Sequence, residues 1–270
     1  MLGRKKYSQL RSFLARNDDF LVVAHKNPDG DTIGSTCALL EILKDAGKRA
    51  SAVFVEEIAD KYRKIVTQKY HVGADPDTSG RKAVICVDMT SPDRSGLSDR
   101  TLERIARLPL LNIDHHPDNQ VFGTVNIVDP EAAAVGEILY SAFAGSYSWR
   151  ISPAAATALM LSIVLDTGAF RYVNNSGANV FSTAAALLKL KADYRTIIDE
   201  IYYSVPLNFM KFQSEILIKH LRTAFEGKFA WASFGEDTLA KFAISKKDTE
   251  ELIDTFKSIK GVEIAALLYR

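Results

Sequence analysis

Short aliphatic runs alternate with helix-like segments through the first two-thirds of this chain, and this alternation constrains the fold more than any other feature. Each run is rich in β-branched or aliphatic residues and has the length of a strand. Strands that alternate with helices form a largely parallel sheet with helices on both faces. We therefore predict an α/β fold. The four predicted strands are FLVVA (20–24), SAVFV (51–55), AVICV (83–87) and LLNI (110–113).

Three segments of the same region have apolar residues at helical spacing. The first helix is predicted over 32–47 and ends on Gly47, because glycine commonly terminates helices. A second helix is predicted over 131–145. A third is predicted over 152–168, where the opening Ser-Pro pair matches the preferences of the N-cap and of the first helical position.

The pattern changes near residue 190. We predict a main domain over 1–190, a helical linker over 191–222 that is interrupted at Pro206, and a smaller, incomplete α/β domain over 223–270. The smaller domain is predicted to consist of a strand, a helix and a strand, and the chain stops on the second strand. These three elements are expected at 228–234, 246–261 and 262–270.

Composition and charge exclude several classes of function. The formal net charge is +1, so no overall field attracts duplex DNA or an anionic membrane, whereas a small anionic substrate remains compatible. The first twenty residues lack the apolar core of a signal peptide, and no apolar run has the length of a membrane span. We expect a cytoplasmic protein in which Cys37 and Cys86 are reduced and buried.

The loop HKNPDGDTIGS (25–35) lies between the first predicted strand and the first predicted helix. Ligands of open α/β sheets bind outside the carboxyl ends of strands, so a site is expected here. The proline and glycine of the loop favour a tight turn that aims His25, Asp29 and Asp31 towards one point. Three such groups repel or desolvate one another unless a cation lies among them. The alternative is a polar turn in which an aspartate caps the following helix.

Other loops add similar residues. Asp88 follows the third predicted strand, and Asp114, His115 and His116 follow the fourth. Asp166 ends an apolar helical run, where an ionisable group is costly to bury without a partner. Each residue alone also fits an ordinary turn or helix end. Three of the five histidines of the chain nevertheless lie in these loops, which favours a common site.

Two histidines and four carboxylates without a nearby thiolate suit Mn²⁺ or Mg²⁺, with Fe²⁺ as a further option, better than structural zinc. Two divalent cations roughly 3.5–4 Å apart can activate a water and stabilise the attacking and leaving oxygens of phosphoryl transfer. The sequence thus favours a dinuclear phosphoesterase. The six predicted metal ligands are His25, Asp29, Asp31, Asp88, His115 and Asp166.

The order and spacing of these motifs resemble those of the DHH phosphoesterase superfamily, especially its bacterial RecJ-like members. Three segments are most similar to NrnA-type members, which are oligoribonucleases and 3′-phosphoadenosine-5′-phosphate phosphatases; the resemblance covers about 10–190. It implies a hydrolase that releases 5′-mononucleotides from short RNA or converts phosphoadenosine phosphate to AMP, and a homodimer is one option for its assembly. The three segments are NIDHHPDN (112–119), VDPEAAAVGEILY (128–140) and LDTGAFRY (165–172).

The resemblance also implies roles for individual residues. His25 and Asp29 would hold one metal ion, three further ligands the other, and Asp88 would bridge both. His116 would contact the scissile phosphate, neutralising its charge or protonating the leaving oxygen, and Asp114 would orient a neighbouring histidine. The three ligands of the second metal ion are Asp31, His115 and Asp166. Further phosphate contacts, each equally compatible with an ordinary loop or ion-pair role, are expected from Asn27, Arg94 and Arg171.

One feature of the family is missing. Its smaller DHHA1 domain usually ends with a glycine-rich, histidine-containing segment that binds the distal part of the substrate, and residues 223–270 contain no such segment. We therefore expect a truncated or unusually short DHHA1-like region and a less certain substrate preference.

Five other functions are alternatives to the nucleotide phosphoesterase. PDGDTIG is similar to the nucleophile loop of haloacid dehalogenase-type phosphatases, but its glycine precedes the second aspartate and the histidine pair would be unexplained. A family II inorganic pyrophosphatase and an exopolyphosphatase share the metal motifs. A phosphodiesterase of cyclic-dinucleotide pathways, acting on the linear dinucleotide, also stays open. A nucleotide-binding protein without catalysis is the fifth alternative, but such a protein would be expected to have lost one or more of the metal ligands.

Overall fold

A computed structural model describes residues 3–66, 68–173 and 177–270 of the protein. Contacts divide the chain into two units, Met1–Ile201 and Tyr202–Arg270, and each unit has a sheet and an apolar core of its own. Two contact units do not by themselves identify a linker, so the predicted 1–190 domain and 191–222 linker stay predictions.

The first unit contains a six-stranded sheet whose paired strands are all parallel, in the order β3-β2-β1-β4-β5-β6. This confirms the predicted α/β fold and all four predicted strands. The prediction missed the two edge strands, which are short and only partly buried. The strands are β1 (Phe20–Val23), β2 (Ala50–Phe54), β3 (Tyr70–Val72), β4 (Ala83–Val87), β5 (Leu110–Asp114) and β6 (Val125–Val128).

The strand order reverses direction between β1 and β4. Val22 of β1 lies beside Ala52 of β2 on one side and beside Ile85 of β4 on the other. In an open parallel sheet, such a reversal leaves a crevice at the carboxyl ends of the two strands. The loop that begins at His25 and the residue Asp88 follow these two strand ends.

Of the three helices predicted for the main domain, two begin and end close to the predicted positions, and α1 (Arg4–Arg16), α3 (Asp99–Ile105) and α6 (Gly177–Lys189) were not predicted. The 32–47 prediction corresponds to a helix that starts at Gly30, and Gly47 follows its end with a φ of +72°. The predicted helix over 131–145 begins only at Val135, because Ala134 is extended and the backbone before it contacts other groups. The helices are α1 (Arg4–Arg16), α2 (Gly30–Asp45), α3 (Asp99–Ile105), α4 (Val135–Phe143), α5 (Pro153–Asp166), α6 (Gly177–Lys189) and α7 (Tyr194–Tyr202).

Close packing of α2 on α5 depends on two glycines. A Cβ atom on Gly34 would lie 2.5 Å from the carbonyl oxygen of Ala158 and 2.6 Å from the backbone nitrogen of Ser162. A Cβ atom on Gly30 would lie 2.2 Å from Cγ of Leu165. Neither position has room for a side chain, so the backbone of α2 lies directly against α5. This approach brings the start of α2 and the end of α5 together.

The second unit is built on a three-stranded sheet. Strands β7 and β8 are antiparallel and β8 and β9 are parallel, around a core that includes Phe212, Phe234 and Phe256. The predicted interruption at Pro206 is confirmed, but Leu221 and Arg222, which were predicted to be helical, begin β7. The predicted helix over 246–261 is reduced to a 3₁₀ turn and a short helix. The elements are α8 (Leu207–Glu215), a π-helical turn (Ile216–His220), β7 (Leu221–Ala224), β8 (Phe229–Phe234), α9 (Glu236–Phe242), a 3₁₀ turn (Lys246–Glu251), α10 (Leu252–Lys257) and β9 (Ile264–Tyr269).

Both cysteines are free and buried, as predicted. Burial raises the pKa of each thiol to about 12, so both are protonated at neutral pH. Across the described ranges, every helix is too short or too polar to cross a lipid bilayer.

Candidate metal centre

The predicted ligands meet at the carboxyl edge of the six-stranded sheet. They come from the ends of β1, β4 and β5 and from the facing ends of α2 and α5. Their donor atoms form three overlapping groups, and within each group the atoms lie within 4.8 Å of one another. The groups are His25, Asp29 and Asp88; Asp31, His115 and Asp166; and Asp88, His115 and His116.

The first group lies against the end of β1. His25 Nε2 is 3.5 Å from Asp88 Oδ2 and 3.9 Å from Asp29 Oδ2. The other ring nitrogen of His25 lies 2.7 Å from the carbonyl oxygen of Lys26. A carbonyl oxygen only accepts hydrogen bonds, so His25 Nδ1 carries a proton and Nε2 is the nitrogen that faces the two carboxylates.

The second group lies between α2, α5 and the end of β5. His115 Nε2 is 3.7 Å from Asp31 Oδ2 and 3.4 Å from Asp166 Oδ2. These separations are too long for hydrogen bonds. Two ligand atoms about 2.1 Å from one cation, at angles of 90–110°, are roughly 3.0–3.5 Å apart. The spacing of the donors therefore fits a shared cation.

Asp88 lies between the two groups. Its Oδ2 faces His25, whereas its Oδ1 is 3.7 Å from His115 Nε2 and 3.5 Å from His116 Nδ1. Among the described residues, Oδ1 has no hydrogen-bond partner although it is buried. The backbone of Asp88 has a φ of +57°, a conformation that is uncommon outside glycine and is concentrated at functional sites.

Electrostatics at this edge favour a cation. Burial, and after it the charges of Asp88 and Asp166, raise the pKa of Asp31. Burial also raises the pKa of Asp166 to about 6. Burial alone would lower the pKa of His115, but the surrounding carboxylates outweigh it and raise the pKa. A divalent cation would allow these carboxylates to ionise together. It would also provide a partner for the buried Oδ1 of Asp88.

Asp31 is held by three hydrogen bonds. Its Oδ1 accepts from Ser35 Oγ at 2.8 Å and from Ser162 Oγ at 2.5 Å, and its Oδ2 accepts from the backbone N–H of Val135 at 2.8 Å. Ser162 Oγ in turn accepts from the N–H of Gly136 at 2.8 Å. These bonds fix the direction of the carboxylate and favour its ionised form.

His116 is bound to Asp114, as the resemblance implied, and is the most exposed of the three site histidines. Its Nδ1 lies 2.8 Å from Asp114 Oδ1, and this bond raises the pKa of His116 to about 9. Asp114 is fully buried and also accepts from Asn119 Nδ2 at 2.5 Å and from the N–H of His115 at 2.8 Å. Although burial alone would raise it, these bonds lower the pKa of Asp114, which is therefore an anchored anion.

The three predicted phosphate contacts lie on exposed loops around the site. Asn27 lies in the loop after β1 and has a φ of +54°. Arg94 lies in a 3₁₀ turn, and its carbonyl oxygen accepts a hydrogen bond from the N–H of Lys26. Arg171 Nε donates to the carbonyl oxygen of Gly168 at 2.7 Å. Their contacts with a phosphate stay a prediction.

Sequence reasoning missed the hydroxyl groups that support the ligands. Thr32 Oγ1 donates to Asp88 Oδ2 at 2.6 Å, and the two serines donate to Asp31. Thr32 and Ser35 are buried on α2 within the motif itself, and polar residues in a buried helix are a signal that could have identified them. Ser162 stands alone in the apolar run of α5, where the same signal was overlooked.

Residues 19–163 match the DHH family, N-terminal domain, which is more than half of the chain. The chain belongs to the DHH family. This confirms the resemblance noted from the motifs. Membership of this family, together with the relatives described next, shows that the chain is a phosphoesterase, which is a metal-dependent hydrolase.

Several curated relatives resemble the chain over most of its length. The bifunctional oligoribonuclease and PAP phosphatase NrnA of Bacillus subtilis is 26% identical over 253 residues, which cover 91% of this chain and 75% of the relative. The protein of the same name from Thermus thermophilus is 26% identical over 249 residues, with coverages of 92% and 71%. The cyclic-di-AMP phosphodiesterase PdeA of Listeria monocytogenes is 23% identical over 278 residues, which cover 96% of this chain and 40% of that protein.

Solved structures support the fold. An exopolyphosphatase-related protein from Bacteroides fragilis matches with a TM-score of 0.84 at 22% identity, covering 96% of this chain and 78% of that one. An inorganic pyrophosphatase assigned to family II in Methanococcus jannaschii matches with a TM-score of 0.55 at 17% identity, covering 93% and 83%. At these identities the likeness concerns the fold alone.

Proposed function

We propose that the chain hydrolyses short oligoribonucleotides to 5′-mononucleotides, or phosphoadenosine phosphate to AMP, at a centre that holds two divalent cations. The observation that carries this proposal is the position of Asp88, whose two oxygens face different histidines. The substrate classes are supported by the names of the relatives from B. subtilis and T. thermophilus.

In this proposal, His25 and Asp29 would hold one cation, and Asp88 would be a ligand common to both. When bound, the cations supply Lewis-acid chemistry, activating water and stabilising the charge that develops on the phosphoryl oxygens. Oxygen-rich ligation with some imidazole suits Mn²⁺, with Mg²⁺ and Fe²⁺ as alternatives. The ligands proposed for the second cation are Asp31, His115 and Asp166.

His116 is proposed to act on the substrate rather than to hold metal. Its Nδ1 is engaged with Asp114, so Nε2 is the nitrogen that can carry a proton to the substrate. Hydrolysis joins a water oxygen to phosphorus, breaks the bond to the leaving oxygen and requires a proton on that oxygen. A histidine that stays protonated at neutral pH can donate it, and its charge also stabilises the phosphate.

Arg94, Arg171 and Asn27 are proposed to contact the substrate phosphates from the rim of the site. The two guanidinium groups suit phosphate because they offer several donors in a fixed plane. Arg171 would have to release its bond to the carbonyl oxygen of Gly168, which neighbours the metal-ligand helix α5.

A second candidate is the hydrolysis of a linear dinucleotide in a cyclic-dinucleotide pathway, supported by the similarity to PdeA over 96% of this chain. Both candidates use the same centre and differ only in the nucleotide. A protein that binds nucleotides without turnover is the alternative from another class.

Turnover of a 5′-labelled RNA dinucleotide in the presence of Mn²⁺ tests the proposal. Phosphoadenosine phosphate, linear di-adenosine dinucleotide and inorganic pyrophosphate serve as parallel substrates, and Asp88→Ala is the matched inactive control. Mononucleotide release that requires Mn²⁺ and Asp88 supports the proposal. Tight binding without turnover of any substrate would instead favour the non-catalytic alternative, and turnover of pyrophosphate alone would identify a pyrophosphatase.

A further inference from the structure

A short stretch of backbone before α4, the 131–135 segment, contacts two different predicted metal ligands. The carbonyl oxygen of Ala132 lies 3.3 Å from His115 Nδ1. Three residues later, the N–H of Val135 donates to Asp31 Oδ2 at 2.8 Å. The path of this segment therefore affects the orientation of both ligands at once.

Glu137 holds the middle of the 131–135 segment, whose start is held by hydrogen bonds from the N–H groups of Glu131 and Ala132 to Asp129. Its Oε2 accepts a hydrogen bond of 2.8 Å from the N–H of Ala133, which lies between the two contact residues. The Glu137 residue is only 1% exposed, and among the described residues its Oε1 has no hydrogen-bond partner. Burying a carboxyl group is costly, so a purely space-filling role would be served better by an apolar side chain.

Helix capping alone does not account for this contact. In a capping box, the glutamate at the third helical position accepts from the N–H of the N-cap residue, which here is Ala134. Glu137 occupies that third position but accepts from Ala133, one residue earlier. The extended backbone of Ala134 thus directs the carboxylate towards the middle of the 131–135 segment.

We infer that Glu137 is a positioning residue of the metal centre, which acts by holding the 131–135 segment against His115 and Asp31. The inference rests on the proposed function, in which these two residues hold a cation. It deepens that proposal by adding a group that touches neither the cation nor the substrate.

The contact with Ala132 holds the ring of His115. A carbonyl oxygen only accepts hydrogen bonds, so His115 Nδ1 carries a proton and Nε2 faces Asp31 and Asp166, at 3.7 and 3.4 Å. Displacement of the segment would free the ring to turn and would take Nε2 out of the position that a cation needs.

Two substitutions separate the hydrogen bond from the charge. Glu137→Leu removes the acceptor at similar volume, and Glu137→Gln keeps an amide oxygen that can accept from Ala133. We expect Glu137→Leu to weaken Mn²⁺ binding about 10- to 100-fold and Glu137→Gln to stay within about threefold of the parent protein. Ser98→Ala, which removes the N-cap bond to the N–H of Thr101 in α3, is the control for a lost helix cap without a link to the ligands.

The readout that a cap would not change is the proton on His115 Nδ1 in the metal-free protein. Proton and nitrogen-15 NMR of labelled histidine follows the exchange of this proton with water, and the chain has only five histidines to assign. We expect slow exchange in the parent protein, Glu137→Gln and Ser98→Ala, and faster exchange in Glu137→Leu, because the contact with Ala132 is then lost. If Glu137→Leu is unfolded, Glu137→Asp gives the same test, because its shorter side chain cannot reach Ala133.

Two results would overturn the inference: unchanged exchange of the His115 Nδ1 proton and unchanged Mn²⁺ affinity in Glu137→Leu or Glu137→Asp, or an equal loss of affinity in Ser98→Ala. Failure of the proposed function would be recognised separately. In that case the parent protein itself would neither bind Mn²⁺ nor turn over nucleotides, while the comparison of Nδ1 proton exchange in metal-free protein would still decide whether Glu137 positions His115.

Discussion

Thr32 Oγ1 donates a hydrogen bond of 2.6 Å to Asp88 Oδ2, although the two residues are 56 positions apart in the chain. The bond joins the first turn of α2 to the end of β4, and both residues are buried. Since Asp88 lies between the two ligand groups, Thr32 fixes the direction of the carboxylate that we propose to be common to both cations.

Replacement of Thr32 is therefore expected to weaken the metal centre. Thr32→Val keeps the shape of the side chain but removes the donor, and we expect a 10- to 100-fold loss in Mn²⁺ affinity. Thr32→Ser retains the hydroxyl group and is the matched control. Isothermal titration of the metal-free proteins measures both constants. Equal affinities for the two variants would show that the hydroxyl group does not support Asp88.

Asp88→Ala is expected to abolish Mn²⁺ binding and turnover together while the protein stays folded. The substitution removes a negative charge from a site where carboxylates repel one another, and it leaves one hydroxyl group without its acceptor, a change of about 1–2 kcal/mol. Circular dichroism during urea unfolding checks the fold, and metal analysis checks occupancy. Retained turnover would contradict the assignment of Asp88.

His116→Ala is expected to behave differently from the ligand variants. It should retain metal but lower kcat by about 10²-fold, because the group that protonates the leaving oxygen is lost. A substrate with a p-nitrophenolate leaving group, which needs no proton, is the matched control, and its hydrolysis should fall much less in His116→Ala, because only the contribution of the charge is then lost. Loss of metal from this variant would instead make His116 a ligand.

The sequence predicted most of the core of this site but little of what surrounds it. Strands β1, β4 and β5 are short, continuous aliphatic runs, so their ends could be located, and with them the residues that the structure brings together. Hydroxyl donors such as Ser162 were missed because their partner, Asp31, is 131 positions away and only the packing of α5 on α2 makes the contact. The start of α4 was placed four residues too early, because alanine-rich 131–134 has high helix propensity. In the structure Ala134 is extended, and contacts with Asp129, Glu137 and Asp31 hold this segment outside the helix.

Gly34→Ala is expected to destabilise the protein and to weaken metal binding. The added Cβ would lie 2.5 Å from the carbonyl oxygen of Ala158, so α2 and α5 must separate. Overpacking of this kind costs about 1–3 kcal/mol and would also move Asp31 away from Asp166. Gly3→Ala meets no atom within 4 Å and serves as the control. Urea unfolding and Mn²⁺ titration of both variants test whether the close approach of the helices is required.

The metal-free protein is expected to lose more stability than the metal-bound protein as the pH rises. The folded-state pKa of Asp166, about 6, and that of His116, about 9, both exceed the usual values of these side chains. The folded state therefore binds more protons than the unfolded state between about pH 4 and 6 for Asp166, and between about pH 6.5 and 9 for His116. Stability is highest below each window and falls as the pH rises through it.

Thermal unfolding from pH 5 to 9, with EDTA and with Mn²⁺, should show Tm values that diverge towards high pH, because bound cations require the deprotonated carboxylates. A metal-free Tm that rises over this range would show that the carboxylates do not repel one another.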